Sequence, residues 1–303
     1  MRKLSLLIGV VALMISSAHS QMDSTEDNLS SLVAAERNFS HLSQSDGMRE
    51  AFLTCLSDDA LVFRPKPING KQYYRQRPDH PGVLSWQPVT GDISSGGNFG
   101  YTTGPYQFAA KPGVEPSLFG DYVSVWRRDP GGEWHVVVDL GISHDKPEGE
   151  DTTFVPFRSA SRDYRPSSPV DIENLQKGLM AQDEELSKVA SRDGIGDAVR
   201  RFAADGIRMY RERSMPVIGL KDVDSAFTAR NGIYRWLPAQ AEVSSSGDLG
   251  YTYGTMEIRL SADDEDPGQL SSYLHIWRRG ADGSWRLVLD ITNELPDEEA
   301  GQG

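Results

Sequence analysis

A single cysteine, Cys55, stands in a chain of 303 residues, so no disulfide can form within it. Cys55 shares i, i+3, i+4, i+7 spacing with Met48, Ala51 and Phe52, which places it on the apolar face of a short helix as a structural thiol and not a nucleophile. Histidine is scarce as well. The six present are scattered, without metal-ligand spacing or a cysteine pair to join, so no metal site is expected, and no cofactor. Basic residues are outnumbered, 31 Lys and Arg against 44 Asp and Glu, for a net charge of −13. That balance repels phosphate backbones and excludes nucleic acid and anionic membrane surfaces as partners. The runs Asp263-Asp264-Glu265-Asp266 and Asp297-Glu298-Glu299 read as a solvated loop and an acidic tail, residues 297–303.

Long apolar runs are missing too, with one exception. Arg2 and Lys3 precede the apolar stretch Leu4 to Ile15, and Ser16 to Ser20 give a small-residue exit. Twelve helical residues span only about 18 Å, short of a bilayer core of about 30 Å. Residues 1–20 therefore read as a secretory signal peptide, cleaved after Ser20 or Ala18, and the remainder as an exported protein, periplasmic or extracellular, without stable membrane insertion.

What the chain does have is tryptophan in matched pairs. Trp86, Trp126 and Trp134 correspond to Trp236, Trp277 and Trp285, at offsets of 150, 151 and 151 residues. Ser94-Ser95 and Gly100-Tyr101-Thr102-x-Gly104 recur as Ser244-Ser245 and Gly250-Tyr251-Thr252-x-Gly254. Tyr122-x3-Trp126-Arg127-Arg128 recurs as Tyr273-x3-Trp277-Arg278-Arg279, and Trp134-x2-Val137-x-Asp139 as Trp285-x2-Val288-x-Asp290. A period near 150 is too long for a solenoid and matches one globular domain. The chain thus divides into a first domain over 21–146, a linker over 147–167 and a second domain over 168–296. The linker is rich in Pro, Ser, Asp and Arg, with Phe154, Val155, Phe157 and Tyr164 expected to pack on a domain surface.

Each copy reads as helices first and strands after. Ser24 with Asp27 suggests a capping box for a helix carrying Leu32, Ala35, Phe39 and Leu42. Ser168-Pro169-x-Asp171 opens its counterpart with Leu175, Leu179, Leu186 and Val189. Asp46-Gly47 and Asp193-Gly194 begin second helices, short strands follow near 60–64 and 206–211, and third helices are expected near 70–77 and 220–230. Four strands close each copy, near 83–95, 99–109, 119–128 and 133–142, and near 233–245, 249–260, 271–279 and 284–292. Val123 and Val125 alternate with Tyr122, Ser124 and Trp126, so that strand is covered on both faces.

With this order, the motifs Leu84-Ser85-Trp86-Gln87-Pro88, Gly100-Tyr101-Thr102-x-Gly104-Pro105, Val125-Trp126-Arg127-Arg128 and Trp134-x3-Val138-Asp139, each echoed in the second copy, resemble the nuclear transport factor 2-like superfamily, which also holds SnoaL-like cyclases and ketosteroid isomerases. Within it the chain is most similar to a bacterial family of unknown function. The resemblance implies an α+β fold of two tandem cone-like domains. In each, about three helices pack on a strongly curved antiparallel sheet around an internal cavity. It also implies an intramolecular pseudo-dimer of the two domains, sheet against sheet.

Asp139 and Asp290 are the candidate catalytic residues, each inside an apolar final strand where burial raises a carboxyl toward use as a base. SnoaL-like cyclases resemble this in placing a base on a late strand. The alternative is a structural acceptor for Arg64 or Arg211. Ligand-binding candidates are Trp86, Tyr101, Tyr122, Trp126, Trp236, Tyr251, Tyr273 and Trp277, as core aromatics or cavity lining, together with Arg64, Arg211 and His275, which replaces Ser124. One arginine of each Arg-Arg pair reads as solvated rim. The motif glycines read as bends in the sheet, not as a phosphate loop. Three functions remain open: binding of a small, largely apolar molecule; an isomerase, cyclase or hydratase using a final-strand aspartate; and a structural dimerisation module.

Overall fold

Leu29, Leu32, Val33 and Phe39 lie along one face of a helix over residues 25–45 (α1) and are buried, as their 3.6-residue periodicity requires. A computed structural model describes residues 25–149, 151–157, 170–228, 232–259, 261 and 268–296. The expected signal peptide, the Ser24 cap, the acidic run 263–266, the tail 297–303, and Tyr164 with most of the linker lie outside the described residues.

α2 (Met48–Cys55) follows, its N-cap Gly47 at φ 94°. Then come β1 (Leu56–Phe63), β2 (Pro67–Asn69), α3 (Gly70–Arg75), β3 (Val83–Trp86), β4 (Thr90–Ile93), β5 (Phe99–Ala109), β6 (Leu118–Arg128) and β7 (Trp134–His144). The second set repeats this order as α4 (Ile172–Asp193), α5 (Ile195–Phe202), β8 (Ala203–Tyr210), β9 (Val217–Ile218), α6 (Leu220–Thr228), β10 (Ile233–Val243), β11 (Leu249–Arg259), β12 (Gln269–Arg279) and β13 (Trp285–Glu294). The chain is α+β, with two similar domains. Helix α4 is capped by Asp171, which accepts from the Asn174 amide at 3.1 Å; Ser168 and Pro169 lie outside the described residues.

The first sheet runs β2-β1-β7-β6-β5-β3, with β4 also on β5, and the second runs β10-β11-β12-β13-β8-β9. Neither is wholly antiparallel as expected: β1 runs parallel to β7 and β8 parallel to β13, because α3 and α6 carry the chain to the far edge strands β3 and β10, and the antiparallel meander back brings the last strand beside the first in the first strand's own direction. The single strand expected over 83–95 is two, β3 and β4, broken around Pro88, which has no amide hydrogen to donate. The motif glycines sit at close approaches. A Cβ on Gly104 would fall 2.0 Å from the Gln87 carbonyl oxygen, and one on Gly254 would fall 2.0 Å from that of Leu237.

Both faces of the central strands are covered. Tyr122 and Trp126 enter the first domain's helix-packed core, and Tyr273 and Trp277 enter the second's. Val123, Val125, Leu274 and Ile276, on the opposite faces, join one apolar cluster shared by both sheets. Repeat-related ion pairs cross this boundary: Arg127 reaches Glu242 at 2.9 Å, and Arg278 reaches Asp92 at 3.6 Å. Neither arginine is therefore plain solvated rim. Their neighbours Arg128 and Arg279 instead donate to the Gly132 and Gly283 carbonyls at 2.8 and 2.9 Å, closing the two hairpins. The described part of the linker pairs with β4, Val155 and Phe157 donating amides to Val89 and Gly91. Phe157 is buried while Val155 points outward.

Candidate functional site

A β-bulge decides which way the final-strand aspartates point. Val125 pairs with Val138 but Trp126 with Val136, so Val137 is the extra residue. The second copy repeats the shift, Ile276 with Leu289 and Trp277 with Leu287, leaving Val288. Val137 and Val138 then both face the shared cluster, and Asp139, which strict alternation from the inward Val136 would send outward, turns inside.

In the first copy Asp139 lines a cavity of about 270 Å³ with Phe52, Leu84, Trp86, Tyr106, Phe108, Leu118, Tyr122, Gly141 and Arg64. The walls are mainly aromatic and aliphatic, and Arg64 and Asp139 are the charged groups. They stand apart: Arg64 Nη2 is 3.7 Å from Asp139 Oδ1. The guanidinium turns instead to the Tyr74 hydroxyl at 2.9 Å and the Phe63 carbonyl at 2.7 Å. Asp139 accepts a long hydrogen bond from Ser124, 3.4 Å. Burial raises its carboxyl above the ordinary range, opposed by the Arg64 charge and Ser124.

Behind Trp86 lies a fully buried carboxylate. Glu36 accepts from the indoles of Trp86 at 2.5 Å and Trp126 at 2.7 Å and from the Thr102 hydroxyl. Desolvation lifts it to about 7, against the pull of these three donors. The Tyr122 hydroxyl is buried beside Thr102 without a hydrogen bond of good geometry.

The second copy is built from matching positions to another end. Arg211 grips Asp290 with both terminal guanidinium nitrogens, Nη1 at 3.1 Å and Nη2 at 2.5 Å. Where Arg64 meets a tyrosine hydroxyl, Arg211 lies over the Phe227 ring, 5.4 Å from its centroid. His275, in the place of Ser124, stands 3.5 Å from Asp290 and 2.8 Å from Asp183, and Asp183 also accepts from Tyr273 at 2.7 Å. Asp183, His275 and Asp290 are all at most 1 % exposed. Charges of alternating sign thus fill the inner face. Though burial opposes it, the neighbouring Arg211 and His275 hold Asp290 down at about 2, and the two aspartates lift His275 to about 9. The Trp277 indole donates to Thr252 at 3.0 Å, and Trp236 lies tilted at 50° to the His275 ring, centroids 5.6 Å apart.

The structure therefore brings Arg64, Trp86, Tyr122 and Asp139 together at one cavity, with Trp126 one layer behind. Arg211, Trp236, Tyr273, His275, Trp277 and Asp290 gather in the second core. Tyr101 and Tyr251 lie elsewhere, in the cluster between the sheets, because odd and even positions of a strand face opposite ways.

No family model matches the sequence, and no curated protein does. Solved structures do match. Its structural neighbours are nuclear transport factor 2-like proteins. One from Pseudomonas putida, of unknown function, is 18% identical over 43% of this chain and 94% of its own, with a TM-score of 0.34. Another from Novosphingobium aromaticivorans, with a cystatin-like fold, is 14% identical over 42% of this chain and 85% of its own, TM-score 0.34. A ketosteroid isomerase-like protein from Erwinia carotovora atroseptica is 14% identical over 40% of this chain and 96% of its own, TM-score 0.31. Likeness at this level concerns fold alone, and each match spans less than half of the tandem chain.

Sequence reasoning overlooked Glu36 and Asp183. The available signal was an acidic residue on the apolar face of the first helix in both copies, Glu36 between Leu32 and Phe39, Asp183 between Leu179 and Leu186. Among the described residues, Asp129, Glu133 and His135 also bring ligand atoms within 4.8 Å of one another, at the β6–β7 hairpin and far along the strands from the cavity.

Proposed function

We propose that this chain binds a small, largely apolar molecule in the cavity of its first copy, as an exported protein whose two copies form an intramolecular pseudo-dimer. The observation that carries the reading is the cavity of about 270 Å³, aromatic-walled, with Arg64 and Asp139 as its polar handle; apolar walls with few convergent polar groups are the usual form of a ligand site. The filled inner face of the second copy supports a supporting role for that half. Export rests on the composition of residues 1–20, and the mass of secreted material, starting at Gln21 or His19, tests it.

An isomerase, cyclase or hydratase activity is the second reading. It is favoured by the raised carboxyl of Asp139, which lines the same cavity as Tyr106 and Tyr122; a base works best when its pKa approaches the working pH. Asp290, held at about 2, is too weak a base to share the role.

Titration with the apolar fluorophore N-phenyl-1-naphthylamine tests the binding reading. One saturable site per chain is expected, lost in Gly141→Leu, whose side chain projects into the cavity while a Cβ at Gly141 meets only ordinary contacts at 3.5 Å. Saturable binding that survives Gly141→Leu would place the ligand elsewhere.

A further inference from the structure

The two copies serve as controls for each other at one ion pair. Arg211 and Asp290 are closed onto one another in a two-pronged contact. The corresponding Arg64 and Asp139 are open, 3.7 Å apart at their nearest atoms, and both line the cavity. The residue that holds them open is Tyr74. Its buried hydroxyl draws Nη2 of Arg64 to 2.9 Å, whereas Arg211 donates to no hydroxyl among the described residues and gives both terminal nitrogens to Asp290. The Arg64 guanidinium carries five N–H donors, and the Phe63 carbonyl and Tyr74 hydroxyl take only part of that set. Asp139 Oδ1 accepts no hydrogen bond among the described residues, and Oδ2 accepts only the long one from Ser124. The cavity thus presents a cationic donor and a carboxylate acceptor side by side, both incompletely satisfied, at the edge of an apolar chamber.

We infer that the ligand carries a neutral hydroxyl head on an apolar body, its oxygen accepting from Arg64 and its proton donated to Asp139, and that Tyr74 is the positioning residue that creates this preference. This rests on the binding reading above. A hydrocarbon satisfies neither group. An anionic carboxylate competes with Asp139 for Arg64 and cannot donate. A hydroxyl completes both, and hydrogen bonds to charged groups are the stronger ones.

Calorimetric titration of the full chain at pH 7 with naphthalene, 2-naphthol and 2-naphthoate separates these cases. 2-Naphthol is expected to bind about tenfold or more tightly than either of the others. In Tyr74→Phe, Arg64 closes onto Asp139 as in the second copy, and the naphthol-to-naphthalene ratio falls to about one. Equal affinities in the parent chain, a preference for 2-naphthoate, or a naphthol preference unchanged in Tyr74→Phe would each overturn the inference while leaving cavity binding intact. Binding by none of the three removes the binding reading itself, and the inference with it.

Discussion

Replacing each final-strand aspartate by asparagine should have unequal consequences, although the two positions are equivalent in sequence. Asp290 accepts two hydrogen bonds, at 3.1 and 2.5 Å, from Arg211, whose side chain is 12 % exposed, and stands 3.5 Å from His275. Asparagine keeps the shape but leaves Arg211 without its carboxylate in a buried site, where breaking such a pair costs about 3–5 kcal/mol, while His275 keeps Asp183 at 2.8 Å. The depression of Asp290 from 3.8 to about 2 points to a similar scale, about 2–3 kcal/mol. Asp139 has its arginine at 3.7 Å and one long hydrogen bond, so neutralising it removes a desolvated charge and little attraction, a net change within about 1 kcal/mol. Urea unfolding at pH 7, followed by tryptophan fluorescence, should therefore show Asp290→Asn destabilised by about 2–5 kcal/mol and Asp139→Asn near the parent. The pH dependence has a definite sign. Because the folded value of Asp290 is depressed, its contribution is present above the ordinary carboxylate range and is lost as pH falls through about 2. Equal losses in the two variants would refute the contrast between an open and a closed pair.

Glu36 runs the other way: raised from 4.5 to about 7, it makes stability fall as pH rises between those values, and Glu36→Gln should flatten urea midpoints across that window; an unchanged slope rejects the assignment. His275, raised to about 9 from 6.5, contributes stability below 6.5 that is lost as pH rises through 9. His275→Ser should thus be weaker by about 3 kcal/mol at pH 6, with the deficit shrinking by pH 9.5; a pH-independent deficit counts against a charged imidazole. Of the ion pairs joining the sheets, Arg278→Ala should cost several-fold more than Arg127→Ala in thermal unfolding. Arg278 is 3 % exposed in its side chain and Arg127 is 38 %, and exposed pairs are worth at most about 1 kcal/mol. Equal melting temperatures would refute this.

The paired tryptophans and motif glycines disclosed the duplication because large aromatics and close backbone approaches tolerate few substitutes. The helix-then-strand order followed from periodicity in Leu32–Phe39 and Val123–Val125. The inward turn of Asp139 was not legible in the same way. It depends on a bulge at Val137, and an extra residue in a strand leaves no compositional mark when it is one valine among three. The parallel pairing of β1 with β7 is a long-range contact that local propensity does not encode. Tyr101 and Tyr122 look alike in sequence, yet one faces the other sheet and one the cavity, a distinction set by pairing register. The role of Glu36 is not legible because an acid within an apolar helical stripe carries no mark of its partners, and its three donors come from β3, β5 and β6.

The shared cluster between the sheets has a consequence for how such a molecule can change. In a dimer of identical chains, any substitution inside one cone appears in its mate, so a serine-to-histidine exchange would fill both interiors at once. Covalent fusion lifts that obligation. The outer faces here stay matched, Arg127 to Glu242 as Arg278 to Asp92, while Ser124 and His275 have parted company behind them. One interior keeps an open arginine–aspartate pair at a cavity and the other closes the same pair beside a buried histidine, a specialisation that symmetry would forbid to two copies of a single gene product.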